Sequence, residues 1–132
     1  MGSLVTARDP QITLTLPEPP SANTYWRHVG AKVLLSATAR QYRQDVQAVV
    51  LGLPLEQRRH LPVAGALAVT LHWYRGRRAG DLDNRTKQPL DALTHAGVWT
   101  DDSQLVELHQ YRHDAPGQAR LEVVITTMGE GR

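Results

Sequence analysis

Residues 67–99 read LAVTLHWYRGRRAGDLDNRTKQPLDALTHAGVW, and three patterns follow one another in that stretch. Leu67, Val69, Leu71 and Trp73 alternate with Ala68, Thr70 and His72, the period of a strand buried on one face. Arg75-Gly76-Arg77-Arg78-Ala79-Gly80 has no period and reads as a loop. From Asp81 the pattern turns helical, reaches about Ala96 and is closed by Gly97. Pro89 falls inside it and cannot donate to the carbonyl of Arg85. Either the helix kinks there, or residues 83–87 form a preceding turn and Pro89 sits near the true helix start. The centre of the chain is thus a strand that hands over to a helix across an arginine loop and an acidic turn.

Towards the N-terminus, Ile12, Leu14 and Leu16 alternate with Gln11, Thr13 and Thr15 as a first strand, stopped by Pro17, Pro19 and Pro20. Residues 21–35 have no clean period and are expected to be a long loop. Ser36 can cap a helix in which Ala39, Tyr42, Val46, Val49, Val50 and Leu53 recur at helical spacing. Gly52 and Pro54 end it. Towards the C-terminus, residues 105–111 and 121–126 read as strands. The turn residues His113-Asp114-Ala115-Pro116-Gly117 between them predict a hairpin. The expected architecture is one α+β domain over residues 11–128. It has a single mixed β-sheet of about four strands packed by two helices, in the order β-α-β-α-β-β. Residues 1–10 are expected to be a flexible arm and 129–132 a short tail.

Composition bounds the function. The chain has 132 residues, 41% of them apolar, enough for one core. It has no cysteine, which excludes disulfide scaffolds, thiolate zinc sites and cysteine nucleophiles and makes a cytoplasmic location the natural expectation. No apolar run approaches the roughly 20 residues of a spanning helix and no signal-peptide pattern opens the sequence, so no membrane partner is expected. Formal net charge is +2, and only Lys32 and Lys87 among the 15 basic residues are lysines. Arginine forks match phosphate oxygens bidentately. A GC-rich coding sequence would give the same bias, so composition permits a nucleic-acid partner without establishing one.

Five aspartates lie close together in sequence: Asp81, Asp83, Asp91, Asp101 and Asp102. Asp81 and Asp83 flank one residue where strand gives way to helix, and carboxylates so spaced can converge on one hard cation. Asp83, Lys87 and Asp91 would share a side of a continuous helix. Taken singly each has a structural reading, as an N-cap or a surface ion pair. A calcium hand fails, because its fifth and twelfth positions would be Arg85 and Ala92. The six histidines show no zinc spacing, and neither a nucleophile elbow nor a Walker loop is present. The combination carries more. Arginines gather a polyanion that clustered carboxylates would repel unless metal ions sit between them, the arrangement of metal-assisted phosphodiester hydrolysis.

The residues also resemble a known family. Asp81-Leu82-Asp83-Asn84-Arg85-Thr86-Lys87, followed by Leu90-Asp91-Ala92-Leu93, Gly97-Val98-Trp99 and Asp101-Asp102-Ser103-Gln104, is similar to the central motif of RusA-type Holliday-junction resolvases. Residues 16–23 running into Tyr25-Trp26-Arg27-His28, and Ser36 leading to Tyr42-Arg43, match its first strand, loop and first helix. The likeness runs from about residue 12 to about residue 128. It implies a RusA-like fold and a Mg²⁺-dependent endodeoxyribonuclease, with Mn²⁺ able to substitute, that resolves four-way junction DNA by paired symmetric nicks. Asp81, Asp83 and Asp102 are implied as catalytic metal-binding carboxylates and Lys87 as the catalytic lysine. Asn84, Asp91 and Asp101 are expected to be supporting residues. Asp101 and Asp102 cannot both point the same way on an extended chain; the resemblance favours Asp102. The arginine run stops at Arg78, leaving Ala79 and Gly80 before the first aspartate where the family pattern keeps a basic residue closer.

Arg27, Arg75, Arg77 and Arg78 are the expected DNA-binding residues. One chain carries one acidic cluster and a junction needs two nicks, so a homodimer is expected. A bacterial or phage-encoded origin fits the resemblance. The competing readings are a DNA-binding module of the same fold with an idle acidic cluster, and a metal-dependent sugar or nucleotide transferase, for which the chain lacks a nucleotide domain.

Overall fold

The computed structural model describes residues 11–77 and 80–128. The expected N-terminal arm, the C-terminal tail and Arg78 lie outside the described residues, as does the side chain of Asp83. The elements, in order, are β1 (Gln11–Leu16), α1 (Ala22–Tyr25), β2 (Trp26–Val29), β3 (Lys32–Leu35), α2 (Ala37–Leu51), α3 (Leu55–Arg58), β4 (Leu67–Arg75), a 3₁₀ turn at Leu82–Arg85, α4 (Lys87–His95), a 3₁₀ turn at Asp102–Gln104, β5 (Leu105–Asp114) and β6 (Arg120–Thr127). The fold is α+β, built on a four-stranded mixed sheet in the order β1-β6-β4-β5, in which only β4 and β5 run parallel.

One face of the sheet is the core. Alternation brings Ile12, Leu14 and Leu16 of β1, Leu67, Val69, Leu71 and Trp73 of β4, and Leu121, Val123 and Ile125 of β6 to that face, all buried. Helices α2 and α4 cover it. The Ser36 hydroxyl accepts from the Ala39 amide at 3.1 Å to start α2, whose buried stripe is Ala39, Tyr42, Val46 and Val50. Helix α4 buries Gln88, Pro89, Ala92 and Leu93. It ends in paired bonds from Val98 to the Leu93 carbonyl and from Gly97 to the Thr94 carbonyl, both 3.1 Å. Gly97 takes the positive φ of 82° that this termination requires.

Pro89 is resolved by a break rather than a kink. Residues 82–85 form a separate 3₁₀ turn and α4 begins at Lys87, which puts Pro89 in its first turn, where a missing N–H costs nothing. The uninterrupted helix that would have aligned Asp83 with Lys87 and Asp91 is therefore absent.

Two expectations are corrected. Strands β5 and β6 form no hairpin. The β4-α4-β5 crossover places β5 parallel to β4 on one side, and β6 returns antiparallel on the other. The link between them arches over the end of β4, where the Ala115 amide donates to the Arg75 carbonyl at 2.9 Å. The burial decides it: β6 carries a full apolar face and takes the inner position, while β5, with exposed Val106, Leu108 and Tyr111, takes the edge. Residues 21–35 are no simple loop either. They hold the short helix α1 and a separate antiparallel ribbon of β2 and β3, turned at Gly30 with φ 62°. Four-residue strands with mixed character leave too little alternation to read.

Candidate active site

The loop after β4 is drawn inward. Arg75 is only 8% exposed. Its Nε donates to Asp114 Oδ1 at 2.8 Å and its Nη1 to the Gly80 carbonyl at 3.1 Å. Gly80 has φ 95°, and a Cβ there would lie 3.1 Å from Arg85 Nη2 and 3.2 Å from the Trp73 ring, so the chain needs glycine at this point. Arg85 lies over Trp73 at 4.9 Å from the ring centroid and donates to the Pro19 carbonyl at 2.6 Å. Trp73 Nε1 donates to Glu18 Oε2 at 2.8 Å. Fully buried Gln88 donates through Nε2 to the carbonyls of Pro20, at 2.8 Å, and Asn84. The proline segment that ended the first strand thus straps the acidic turn onto the sheet. Thr86 adds a bond to Gln110 Oε1 of β5 at 2.6 Å.

Beyond the turn, Lys87 is exposed as the first residue of α4. Asp91, one helical turn on, is an anchor. Its carboxylate accepts Arg43 Nε and Nη2 at 2.9 Å each and the Tyr25 hydroxyl at 2.5 Å, tying α4 to α2 and α1. Burial pushes the Tyr25 hydroxyl well above the usual tyrosine range, and the Asp91 bond and charge push it the same way. The bond to Asp91 raises Arg43. Both groups hold their protons firmly in the fold.

Asp101 and Asp102 divide their roles. Asp101 is the N-cap of the turn before β5, and its Oδ2 accepts from the Ser103 hydroxyl at 2.6 Å, the main cause of a lowered carboxyl pKa. Gln104 pins the same turn. Its Oε1 accepts from the Thr100 and Asp101 amides, and its Nε2 donates to the Val63 and Gly65 carbonyls at 2.9 Å each. Asp102, the first residue of the turn, is left exposed.

Lys87, Asp91, Asp101 and Asp102 line one cleft of about 460 Å³, with Trp26, Leu90 and Thr94. A second hollow beside it is lined by Trp26, His28, Val33 and Lys87. Asp81 is exposed at the N-cap of the 82–85 turn but does not line the cleft, and Asn84 is half-buried in that turn. Asp83 has its backbone in the turn. Among the described residues no three His, Asp or Glu side chains converge as a ready ligand set. Neither Asp81 nor Asp102 enters an ion pair among those residues.

Of the expected DNA-binding arginines, Arg27 and Arg77 are exposed, whereas Arg75 is committed to Asp114 and Gly80 and is removed from that surface. Its position within an arginine run hid this, because the strand's inward alternation still governs it at the end of β4. The anchoring pair Tyr25 and Arg43 and the wall residues His28 and Val33 were not singled out as site residues. No sequence spacing links them to residues 87–102; only the packing of α1, α2 and the ribbon on α4 does. No helix among the described residues is long and apolar enough to cross a membrane.

Known proteins are similar to the chain across nearly its whole length. Residues 17–126 match the family model for endodeoxyribonuclease RusA. The chain is 39% identical over 116 residues to the crossover junction endodeoxyribonuclease of Enterobacteria phage 82, covering 88% of this chain and 94% of that one. It is 38% identical over 117 residues to those of Shigella sonnei (strain Ss046) and Escherichia coli (strain K12), covering 89% of this chain and 95% of each. With the family model matched over most of its length and relatives this similar end to end, the chain belongs to the RusA endodeoxyribonuclease family.

Proposed function

We propose that this protein is a Mg²⁺-dependent, structure-selective endodeoxyribonuclease that resolves four-way DNA junctions by paired symmetric nicks, as a homodimer in the cytoplasm of a bacterial or phage-infected cell. The observation that carries the reading is the meeting of Lys87 with Asp102 in one open cleft, from elements separated in sequence and held by the buried Gln88 and the Asp91 anchor. The donor chemistry suits a hard dication: Asp81 and Asp102 are exposed carboxylates outside any ion pair among the described residues, and no imidazole lines the cleft. They would hold Mg²⁺ together with Asp83. The metal, when bound, acidifies a coordinated water and offsets charge on the phosphoryl oxygens.

The remaining work falls to the chain itself. Lys87, exposed at the positive end of α4 and lining the cleft, would offset charge developing on a phosphate bound there. Asp91 fixes the helix that carries Lys87, and Asp101 with Gln104 fixes the turn that presents Asp102. Single-turnover cleavage of a labelled four-way junction against the same arms as linear duplex, with and without Mg²⁺, tests the reading. The expected result is Mg²⁺-dependent cleavage of the junction alone; junction binding without cleavage in Mg²⁺ or Mn²⁺ would make the acidic cluster idle.

A further inference from the structure

The β2–β3 ribbon stands apart from the main sheet, and its composition is one-sided. Residues 26–35 contain Arg27, His28 and Lys32 and no acidic residue. All three are exposed, as are Val29 (43%), Val33 (56%) and Leu34 (44%). Cross-strand register sorts these residues onto two faces. Arg27 opposes Leu34 and Val29 opposes Lys32 on one face, while His28 opposes Val33 and Trp26 opposes Leu35 on the other. The second face looks onto the site, since His28 and Val33 line a hollow with Lys87.

An isolated two-stranded ribbon is marginal in water, and among the described residues this one is fastened at its root. Trp26 and Leu35 pack on the core, Tyr25 meets Trp26 edge to face at 4.8 Å, and the Ser36 amide donates to the Tyr25 carbonyl at 3.0 Å. The Tyr25 hydroxyl bonds Asp91, so the root and the helix carrying Lys87 share one anchor. The tip gains nothing for the fold by exposing valine and leucine among cations. Among the described residues this positive charge enters no ion pair, which suits a polyanion. A DNA major groove, about 12 Å wide, admits a two-stranded ribbon, and proteins that bend DNA press apolar side chains between base steps.

We infer that the β2–β3 ribbon is a DNA-engaging wing, with Arg27 and Lys32 on the phosphates of a junction arm and Val33 as an apolar wedge that unstacks the base step next to the phosphate held at Lys87. This rests on the junction reading above. It commits the ribbon to DNA rather than to a second copy of the chain. At a branch point the strands change helices, so a base step there opens at less cost than one inside a continuous duplex, and a single small wedge can act on it.

The test places 2-aminopurine at the branch point of a four-way junction and measures its fluorescence on binding, with salt titrations of affinity and single-turnover cleavage in Mg²⁺. The parent chain is expected to raise the fluorescence. Val33→Ser, a change at an exposed site, should lose at least about half of that rise and slow cleavage roughly tenfold with an unchanged salt slope, and Val33→Ile should restore both. Arg27→Gln with Lys32→Gln should lower the slope of log affinity against log salt by about 2 while keeping the fluorescence rise at saturation. A Val33→Ser protein with parental fluorescence and cleavage overturns the wedge. A Val33→Ser protein that sediments as a smaller species than the parent overturns the wing, because the ribbon would then be a subunit contact. A parent chain that binds and cleaves junctions while these variants match it removes only this inference; a parent chain that binds no junction removes the junction reading and the wing together.

Discussion

At Asp91 three hydrogen bonds converge on one carboxylate, and at Asp102, in the same cleft, no ion pair engages the carboxylate among the described residues. The physical consequences of removing each charge therefore differ. Asp91→Asn breaks a bidentate pair about one quarter exposed on each side, costing about 1–2 kcal/mol of stability after allowance for solvent, with cleavage lost in step as α4 loosens. Asp102→Asn should leave the denaturation midpoint in place. It should lower single-turnover cleavage by at least ~10²-fold, because an amide is a poorer ligand for Mg²⁺ and the loss falls on the transition state. Asp83→Asn should behave like Asp102→Asn. Asp114 is no neutral control, since its carboxylate holds buried Arg75. Asp45, which takes a surface bond from Gln41 on α2, serves instead, and Asp45→Asn should cleave at the parent rate. Parental cleavage by Asp102→Asn at limiting Mg²⁺ would remove that residue from the site.

Elements show what the chain discloses before it folds and what it withholds. Strands β1, β4 and β6 and helix α2 were legible because each buries a full face, so alternation or helical spacing is nearly unbroken from Ile12 to Leu16 and from Leu67 to Trp73. The acidic motif was legible because its members are neighbours in sequence. The position of β5 was not, since pairing partners are set by the α4 crossover and not by the turn at residues 114–119. The inward turn of Arg75 was not, since it depends on Asp114, 39 residues later. Arg75→Gln should lower the thermal midpoint and leave the salt slope of junction binding unchanged, whereas Arg77→Gln, exposed in the loop, should lower that slope by about 1 without moving the midpoint; unfolding curves and salt titrations of both variants decide it. The joint of α1, α2 and α4 adds a pH signature. Tyr25 has its pKa raised in the fold, so the native state keeps a proton that the unfolded chain releases. Its stabilising contribution is complete below about pH 10 and is lost as pH rises above that value. Urea midpoints should fall as pH rises above about 10, and Tyr25→Phe should flatten that fall, leaving the slope due to buried Tyr42. An unchanged slope in Tyr25→Phe would detach the joint from the alkaline limb.

Among the described residues Lys87 and Asp102 meet in a single cleft, while resolution of a four-way junction requires two cuts in strands of like polarity. Two independent monomers would nick at uncorrelated times and leave singly cut junctions. A closed pair related by a two-fold axis supplies two clefts with the symmetry of the substrate. The surface has room for such a pairing in β5, ten residues long, which among the described residues pairs with β4 alone and has Val106, Leu108 and Tyr111 exposed along it. A long open edge of that kind is what proteins normally cover, by pairing or by charge. Sedimentation equilibrium at micromolar concentration should therefore give a dimer of the 14.7 kDa chain. Leu108→Lys puts a charge on the exposed edge with little effect on the core and should shift the equilibrium toward monomer. The kinetic counterpart is sharper. On a supercoiled cruciform plasmid, the parent should convert circle to linear product directly, whereas the charged variant should accumulate nicked circle, since its two cuts come from separate encounters. A chain that remains monomeric with and without junction DNA, yet linearises the plasmid without a nicked intermediate, would refute the paired-site arrangement while leaving the chemistry of a single cleft intact.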